Sequence, residues 1–454
     1  MKRGTDKMIR LLKVITLPER LVTGTFLLAI SVGTLLLKMP FSTNKGHISL
    51  IDALFTATSA TCVTGLTVLD TGKDFTLIGQ TVILCLIQIG GLGTLTFSIL
   101  LFHILKGNMP WSAKLAFESA FTVNPLKDFY NYAKRIVTIA VVIELLGMLA
   151  LWLYWKNFWG VTFSFFLALF HSISAFCNAG FSPFSDSLAK FRGDIFINIT
   201  VCLLIISGGI GFLVIDDMLK FIKKRQKLTL HSKVVLVTTF WLIVGGAVLL
   251  WLSEGGHALK GLALKEQVMV ALFHSISART AGFSTFDLAS FRDASLYILV
   301  FLMFVGASPG SCGGGIKTTN LAILWFLIYN RLKGRVETVA WRRTIPSETV
   351  VRSLSITIGS SLFLAFVLGL ILFSVPPALE KEGWSFIRVL FELTSAFGTV
   401  GLSVGLTQKL SDLQKLLFII VMFVGRVGLI TATFSLARKR AEPLFRYAEE
   451  NIMV

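Results

Sequence analysis

Four short segments of the chain are near-copies of one another: ALFTATSA at 53–60, ALFHSISA at 168–175, ALFHSISA again at 271–278 and VLFELTSA at 389–396. All read x-L-F-x-x-x-S-A. Each is followed within four or five residues by a glycine, in TCVTG (Gly65), FCNAG (Gly180), RTAG (Gly282) and FGTVG (Gly401). Recurrence at intervals of roughly 100–120 residues divides the chain into four like units.

Each copy lies between two longer apolar runs. The runs, at 21–38, 76–105, 133–155, 195–221, 233–252, 296–330, 351–374 and 414–437, suit membrane crossing, which takes about 20 residues. The repeated segments, at about 10–14 residues, are too short to cross and have the length of re-entrant helices. With 54% of its 454 residues hydrophobic and 15% charged, the chain cannot be a water-soluble globular protein. The expected fold is an all-α polytopic membrane protein with eight transmembrane helices and four re-entrant pore helices, in four helix/pore-helix/helix repeats around one central pore. The boundaries expected are an amino tail at 1–20, repeat A at 21–105, repeat B with its preceding loop at 106–221, repeat C at 222–330, repeat D at 331–437 and a carboxy tail at 438–454. No short apolar segment with a small-residue cleavage site follows the basic start, so residues 1–20 are expected as a retained tail rather than a signal peptide.

The net charge of +18 could suggest nucleic acid, but the basic residues fall in short loops between apolar runs, where topology accounts for them. On this layout 27 of the 43 Lys and Arg lie on one side, which the positive-inside rule makes cytoplasmic, together with both termini. Cys62, Cys85, Cys177, Cys202 and Cys312 are scattered without metal-ligand spacing, so neither a disulfide framework nor a transition-metal cluster is expected.

Non-helical backbone at membrane depth is tolerated only where it is buried in protein or lines a wet cavity. Four glycine loops therefore imply a water-filled path, and glycine lets successive carbonyls turn inward where a Cβ would strain the chain. Rings of carbonyls can replace a cation's hydration shell. The pore helices would aim their negative C-terminal dipoles at the same place. No loop carries a carboxylate beside its glycine, which leaves backbone carbonyls as the ligands.

The loops TCVTGL, CNAGF, RTAGF and GTVGL resemble the four selectivity loops of the Trk/Ktr/HKT superfamily, most closely the bacterial Ktr type, and the resemblance covers nearly the whole chain. It implies potassium selectivity from glycine in all four loops. The ion-binding carbonyls it implies are those of Val63, Thr64 and Gly65; Asn178, Ala179 and Gly180; Thr280, Ala281 and Gly282; and Thr399, Val400 and Gly401. The third loop is one residue shorter than the others. The resemblance further implies a homodimer in the bacterial plasma membrane, sodium-stimulated uptake, and a separate cytosolic ring of nucleotide-binding (RCK-type) regulatory subunits. Nucleotide is then expected on the partner alone, with potassium as permeant ion and sodium as activator.

The sixth run is broken by VGASPGSCGGGIKTT at 305–319, whose glycines and proline cannot stay helical. The corresponding QIGGLG (88–93), ISGGIG (206–211) and VGRVGLIT (424–431) read as milder interruptions. In the family this position holds an intramembrane gate, implying that role here for Gly310, Ser311, Cys312, Gly313, Gly314, Gly315 and Lys317. A phosphate-binding loop is disfavoured because Ile316 separates glycine from Lys317 and the flanks are membrane runs. Arg426, in mid-run, is costly unless it faces the pore or a partner. Following the family, it is expected below the filter, as a barrier or a latch on the gate carbonyls.

Arg279 precedes the third filter motif and is expected to turn behind it, with Glu392 of the fourth pore helix as candidate partner. His171-Ser172 and His274-Ser275 are adjacent on helices and so do not face each other for proton transfer; they read as packing residues. Asp216 and Asp217 read as solvated interfacial charges. The runs lack the regular arginines of a voltage sensor and the chain lacks a βαβ dinucleotide motif. A secondary transporter would show two inverted halves rather than four parallel copies. A membrane-embedded enzyme is disfavoured because no nucleophile/base set is in view. A Trk-type or sodium-conducting relative stays open.

Overall fold

The computed structural model describes residues 18–93, 129–374 and 384–429. Residues 1–17 of the expected amino tail, the expected carboxy tail and the C-terminal parts of the runs 76–105 and 414–437 lie outside them. Fourteen helices are described. In the first unit they are α1 (Pro18–Lys38), α2 (Leu50–Thr61) and α3 (Leu77–Gly91); in the second, α4 (Phe129–Trp159), α5 (Val161–Phe176), α6 (Ile195–Gly209) and α7 (Phe212–Lys224). The third holds α8 (Leu230–Glu254), α9 (Leu264–Ser277), α10 (Asp293–Phe304) and α11 (Thr318–Leu332); the fourth holds α12 (Ser347–Ser374), α13 (Phe386–Gly398) and α14 (Asp412–Val427). A two-stranded hairpin, β1 (Val339–Ala340) with β2 (Arg343–Thr344), lies between α11 and α12.

Among the described residues, Ala133–Trp159, Leu230–Glu254 and Ser347–Ser374 are each long and apolar enough to cross a membrane, and α6 with α7 qualifies only as a pair bent by 103°. The continuous span expected over 195–221 is thus broken. The cause is local: Gly211 sits at φ +98°, and its Cα lies so close to the glycine-rich segment 305–319 that a Cβ would stand 2.6 Å from Pro309 O. Nor are the breaks outside the third unit mild. α3 ends at Gly91 with Gly93 at φ +84°, and α14 ends at Val427 with Gly428 at φ +91°. Glycine supplies the same left-handed stop in three units.

The four short helices α2, α5, α9 and α13 form the inner layer, and most of their residues are buried. The helix that follows each glycine loop packs on the short inner helix of the next unit: α3 on α5, α6 on α9, α10 on α13, and α14 back on α2. The four units therefore close into a ring. Where the fourth unit meets the first, Lys415 Nζ of α14 pairs with Asp52 Oδ1 of α2 at 2.7 Å. The polypeptide starts several helices with ordinary caps: Ser49 Oγ accepts from Asp52 N, Thr76 Oγ1 from Gly79 N, and Ser411 with Gln414 forms a capping box on α14.

Candidate functional site

The residue before each loop glycine donates its amide to the repeat serine's carbonyl: Thr64 N to Ser59 O (2.7 Å), Ala179 N to Ser174 O (2.8 Å), Ala281 N to Ser277 O (2.8 Å) and Val400 N to Ser395 O (2.8 Å). The hydroxyls of the same serines hold the far side of the loop. Ser59 Oγ donates to Leu66 O (2.7 Å) and accepts from Gly65 N (3.1 Å); Ser174 Oγ donates to Phe181 O (2.8 Å), Ser277 Oγ to Phe283 O (2.5 Å), and Ser395 Oγ accepts from Gly401 N (3.1 Å). The shorter third loop closes on the serine four residues back rather than five. It keeps the same bond with one residue fewer.

Within the loops the chain alternates hand. Gly65, Gly180, Gly282 and Gly401 have φ of +90°, +69°, +76° and +93°, and two residues earlier Val63, Asn178, Thr280 and Thr399 have +57°, +59°, +75° and +50°. These are four of the eight non-glycine residues with positive φ among the described residues. Each costs on the order of 1–3 kcal/mol, which a structure sustains only where its surroundings impose it. For the β-branched Val63, Thr280 and Thr399 the conformation is a true outlier.

The loops meet in cyclic order. A Cβ on Gly65 would stand 2.3 Å from Ala179 O, one on Gly180 2.8 Å from Ala281 O, one on Gly282 2.3 Å from Val400 O, and one on Gly401 2.2 Å from Thr64 O. Each glycine Cα is packed against the carbonyl that precedes the next unit's glycine. All four glycines also line one outer cavity of about 500 Å³, together with Asp70, Asp186, Asp287 and Gln408 and with no Lys or Arg. Three of the four units thus contribute a carboxylate to this mouth, a field that concentrates cations.

Beneath the loops lies the glycine-rich segment between α10 and α11. Gly314 N donates to Thr399 Oγ1 (2.9 Å), and a Cβ on Gly313 would stand 2.1 Å from Thr280 Oγ1, so the segment presses on the inner ends of the third and fourth loops. The α6/α7 break carries it from the other side: Ser308 N donates to Gly209 O (3.0 Å), Cys312 N to Gly208 O (3.0 Å) and Phe212 N to Gly310 O (2.9 Å). Ser311 Oγ donates to Ser308 O (2.6 Å), Lys317 Nζ to Gly313 O (2.8 Å) and Gly315 N to Gly425 O (3.2 Å). Arg426 reaches under the ring and donates from Nη1 to Cys312 O and from Nη2 to Gly90 O. One guanidinium therefore joins the fourth unit to the segment of the third and to the first. In the aligned breaks QIGGLG, ISGGIG and VGRVGL it stands where the first two units have Gly91 and Gly209.

Arg279 does not pair with Glu392. The Glu392 carboxylate accepts from Ser403 Oγ (2.6 Å), Val404 N (3.0 Å), Leu406 N (3.1 Å) and Thr407 Oγ1 (2.7 Å), and so is fully used by its own loop. Arg279 is buried behind the third loop, where it lines a small cavity with Ile205, Ile206, Thr239 and Ile243, and its Nε has no hydrogen-bond partner. Glu392 occupies the repeat position of His171 and His274, and the three do one job. His171 Nε2 lies 3.0 Å from Ser182 Oγ and His274 Nε2 3.0 Å from Ser284 Oγ, each serine two residues past its glycine, as Ser403 is. Asp216 is ion-paired to Arg135 (3.0 Å) and Lys220 (2.6 Å) rather than merely solvated, and Asp217 accepts from Thr229 and Ser232 at the start of α8.

Two features escape a reading of the sequence. Glu144, mid-way along α4, is buried and accepts both Gln88 Nε2 bonds (3.1 and 3.0 Å) and the Cys177 thiol (3.8 Å) behind the second loop. Its only signal is a lone carboxylate inside an apolar run. The Asn178 amide, hydrogen-bonded to Thr280 Oγ1 at 3.3 Å, links the second loop to the third across the inner end of the ring. Nothing in the spacing foretells it.

The chain matches the TrkH cation transport protein family over residues 21–443. It is 39% identical over 438 residues to the Ktr system potassium uptake protein B of Vibrio alginolyticus, covering 96% of this chain and 94% of that one. It is 38% identical over 442 residues to the potassium/sodium uptake protein NtpJ of Enterococcus hirae, covering 96% and 97%. The fold is that of the potassium transporter TrkH from Vibrio parahaemolyticus, with a TM-score of 0.70 at 20% identity over 92% of this chain and 84% of that one.

Proposed function

The chain belongs to the TrkH family of cation transport proteins, and on that footing we propose that it is the potassium-selective, ion-translocating subunit of a Ktr-type uptake system. The observation that carries this is the closed cycle of glycine-to-carbonyl contacts at the base of a single acidic cavity. Alternating left-handed residues hold the carbonyls of residues 63–65, 178–180, 280–282 and 399–401 in register, so that they stand in for the water around a dehydrated cation. Fixed carbonyls need no proton or group transfer, so the chain conducts and does no chemistry. The membrane potential supplies the drive, about 2.3 kcal/mol per charge for each 100 mV.

In this reading the ring is completed by eight membrane crossings and four pore helices. The segment of Gly310, Ser311, Cys312, Gly313, Gly314, Gly315 and Lys317 closes the path below the filter, and Arg426 latches it by binding Cys312 O. Opening requires the segment to release Thr399 and Arg426. The force comes from outside the chain, by way of a cytosolic nucleotide-binding ring, with sodium as activator and two copies of the chain in the assembly at the bacterial plasma membrane. The test is potassium uptake, with and without sodium, in a transport-deficient bacterium producing this chain. Uptake by the wild type that loses preference over sodium in Gly65→Ser and Gly401→Ser supports the filter; equal behaviour of all three removes it.

A second reading, a carrier of both sodium and potassium, is favoured by the likeness to NtpJ. The same experiment separates the two, since such a carrier would move sodium in the wild type.

A further inference from the structure

α7 leaves the end of α6 at 103°, so if α6 crosses the bilayer, α7 lies nearly in the membrane plane on the side of the gate segment. Its sequence suits that position. Ile215, Leu219 and Ile222 recur at helical spacing on one face, and Leu219 and Ile222 are exposed. Lys223 at the end of α7, Arg225 and Lys227 in the connection after it and Lys233 in the first turn of α8 are all exposed cations. The two carboxylates of this segment are already engaged, Asp216 by Arg135 and Lys220, Asp217 by Thr229 and Ser232. The cations of the corner are thus left without a counter-charge on α7. A helix with an apolar face, a basic edge and an orientation along the interface binds the headgroup layer of an anionic leaflet.

The other end of the same helix holds the gate segment. Phe212 N, in the first turn of α7, donates to Gly310 O, Gly211 abuts Pro309 O, and Gly208 and Gly209 carry Cys312 N and Ser308 N. From this juxtaposition we propose that α7 is a membrane-seated lever: anionic phospholipid binds its exposed basic and apolar side, draws the helix toward the headgroups, and pulls the gate segment away from the filter. The lipid surface is the partner because α7 continues directly from the apolar α6 and its free charge is positive. The gating half of the proposal rests on the conduction reading above; the seating half does not.

The test uses the full chain reconstituted in vesicles. Phe221→Trp adds a tenth indole, on α7, and brominated phospholipid should quench the increment in fluorescence over the wild type, more strongly as phosphatidylglycerol replaces phosphatidylcholine. Rubidium influx by the wild type should rise severalfold over the same series. The triple variant Lys223→Gln, Arg225→Gln, Lys227→Gln should match the wild type in pure phosphatidylcholine and lose the rise. An unquenched indole overturns the seating, and with it the lever. A quenched indole with influx indifferent to lipid charge, or a triple variant with the wild-type slope, overturns the lever. Absence of influx in every vesicle, from Arg426→Gln as well as from the wild type, overturns both the conduction reading and the lever, while the quenching still reports whether α7 is seated.

Discussion

Gly401 packs against the carbonyl of Thr64 so closely that a Cβ there would stand 2.2 Å from the oxygen, and this contact joins the last loop of the chain to the first. The corresponding approaches at Gly65 and Gly282 are 2.3 Å, but at Gly180 the distance is 2.8 Å and φ is only +69°, within the left-handed well that other residues can reach. Serine substitutions should therefore be graded. Gly65→Ser, Gly282→Ser and Gly401→Ser should abolish discrimination between rubidium and sodium, whereas Gly180→Ser should retain part of it. Permeability ratios of the four variants in vesicles check the order, and a Gly180 variant as damaged as the rest would contradict it.

The latching proposed for Arg426 gives a prediction with the opposite sign. A hydrogen bond to a charged group contributes about 1.5–3 kcal/mol. Losing one that holds only the closed state should raise the open fraction about tenfold or more, at 1.4 kcal/mol per factor of ten. Arg426→Gln should accordingly increase resting influx and blunt its regulation. Reduced influx with normal amounts of protein in the membrane would mean that the guanidinium supports the path instead.

Glu392 and Arg279 should behave as strangers. Glu392→Ala strands two buried amides, Val404 N and Leu406 N, at about 1–3 kcal/mol each. Removing Arg279 as well should add its own effect without rescue, because the two share no partner. Thermal unfolding in detergent of the single and double variants measures the coupling, and rescue by the double variant would restore the pairing that the geometry denies.

Replacing one repeat serine should loosen the filter rather than the fold. Ser174→Ala removes the bond to Phe181 O, worth about 1 kcal/mol. Selectivity should fall while the amount of protein in the membrane hardly changes. Equal selectivity in Ser174→Ala would assign the hydroxyl to helix packing alone.

The acidic mouth should act through range rather than contact. Asp186→Asn and Asp287→Asn should raise the potassium concentration for half-maximal influx, with the effect fading as ionic strength grows and the Debye length falls to about 8 Å at physiological salt. A maximal rate that drops at saturating potassium would instead put these residues inside the path.

How much of this was legible beforehand follows from which physics each feature obeys. The fourfold repeat and the place of the break at 305–319 are written in hydropathy and glycine content, and a reader of the sequence can find them. The resemblance added the expectation of a gate at that break and of Arg426 below the loops. The left-handed Val63, Thr280 and Thr399 could not be foreseen, because β-branched residues avoid that conformation unless neighbouring loops impose it. Glu392 misled because a charge near an opposite charge in a motif invites pairing, while its four actual donors are loop groups arriving from residues 403–407. The 103° turn after α6 was hidden for a related reason: ISGGIG is no richer in glycine than QIGGLG, and the bend is secured by contacts with a segment a hundred residues away.

The closure of α14 on α2 has a mechanical meaning. Three joints of the ring lie between units that follow each other along the chain, but the fourth joins the last unit to the first and is bridged by packing, by the Lys415–Asp52 pair, by the Arg426 bond to Gly90 O and by the seat of Gly401 on Thr64, with no chain connection. A ring with one unriveted seam concentrates its compliance there. The aperture is a split collar, whose bore is set by how tightly its two free edges are pressed together.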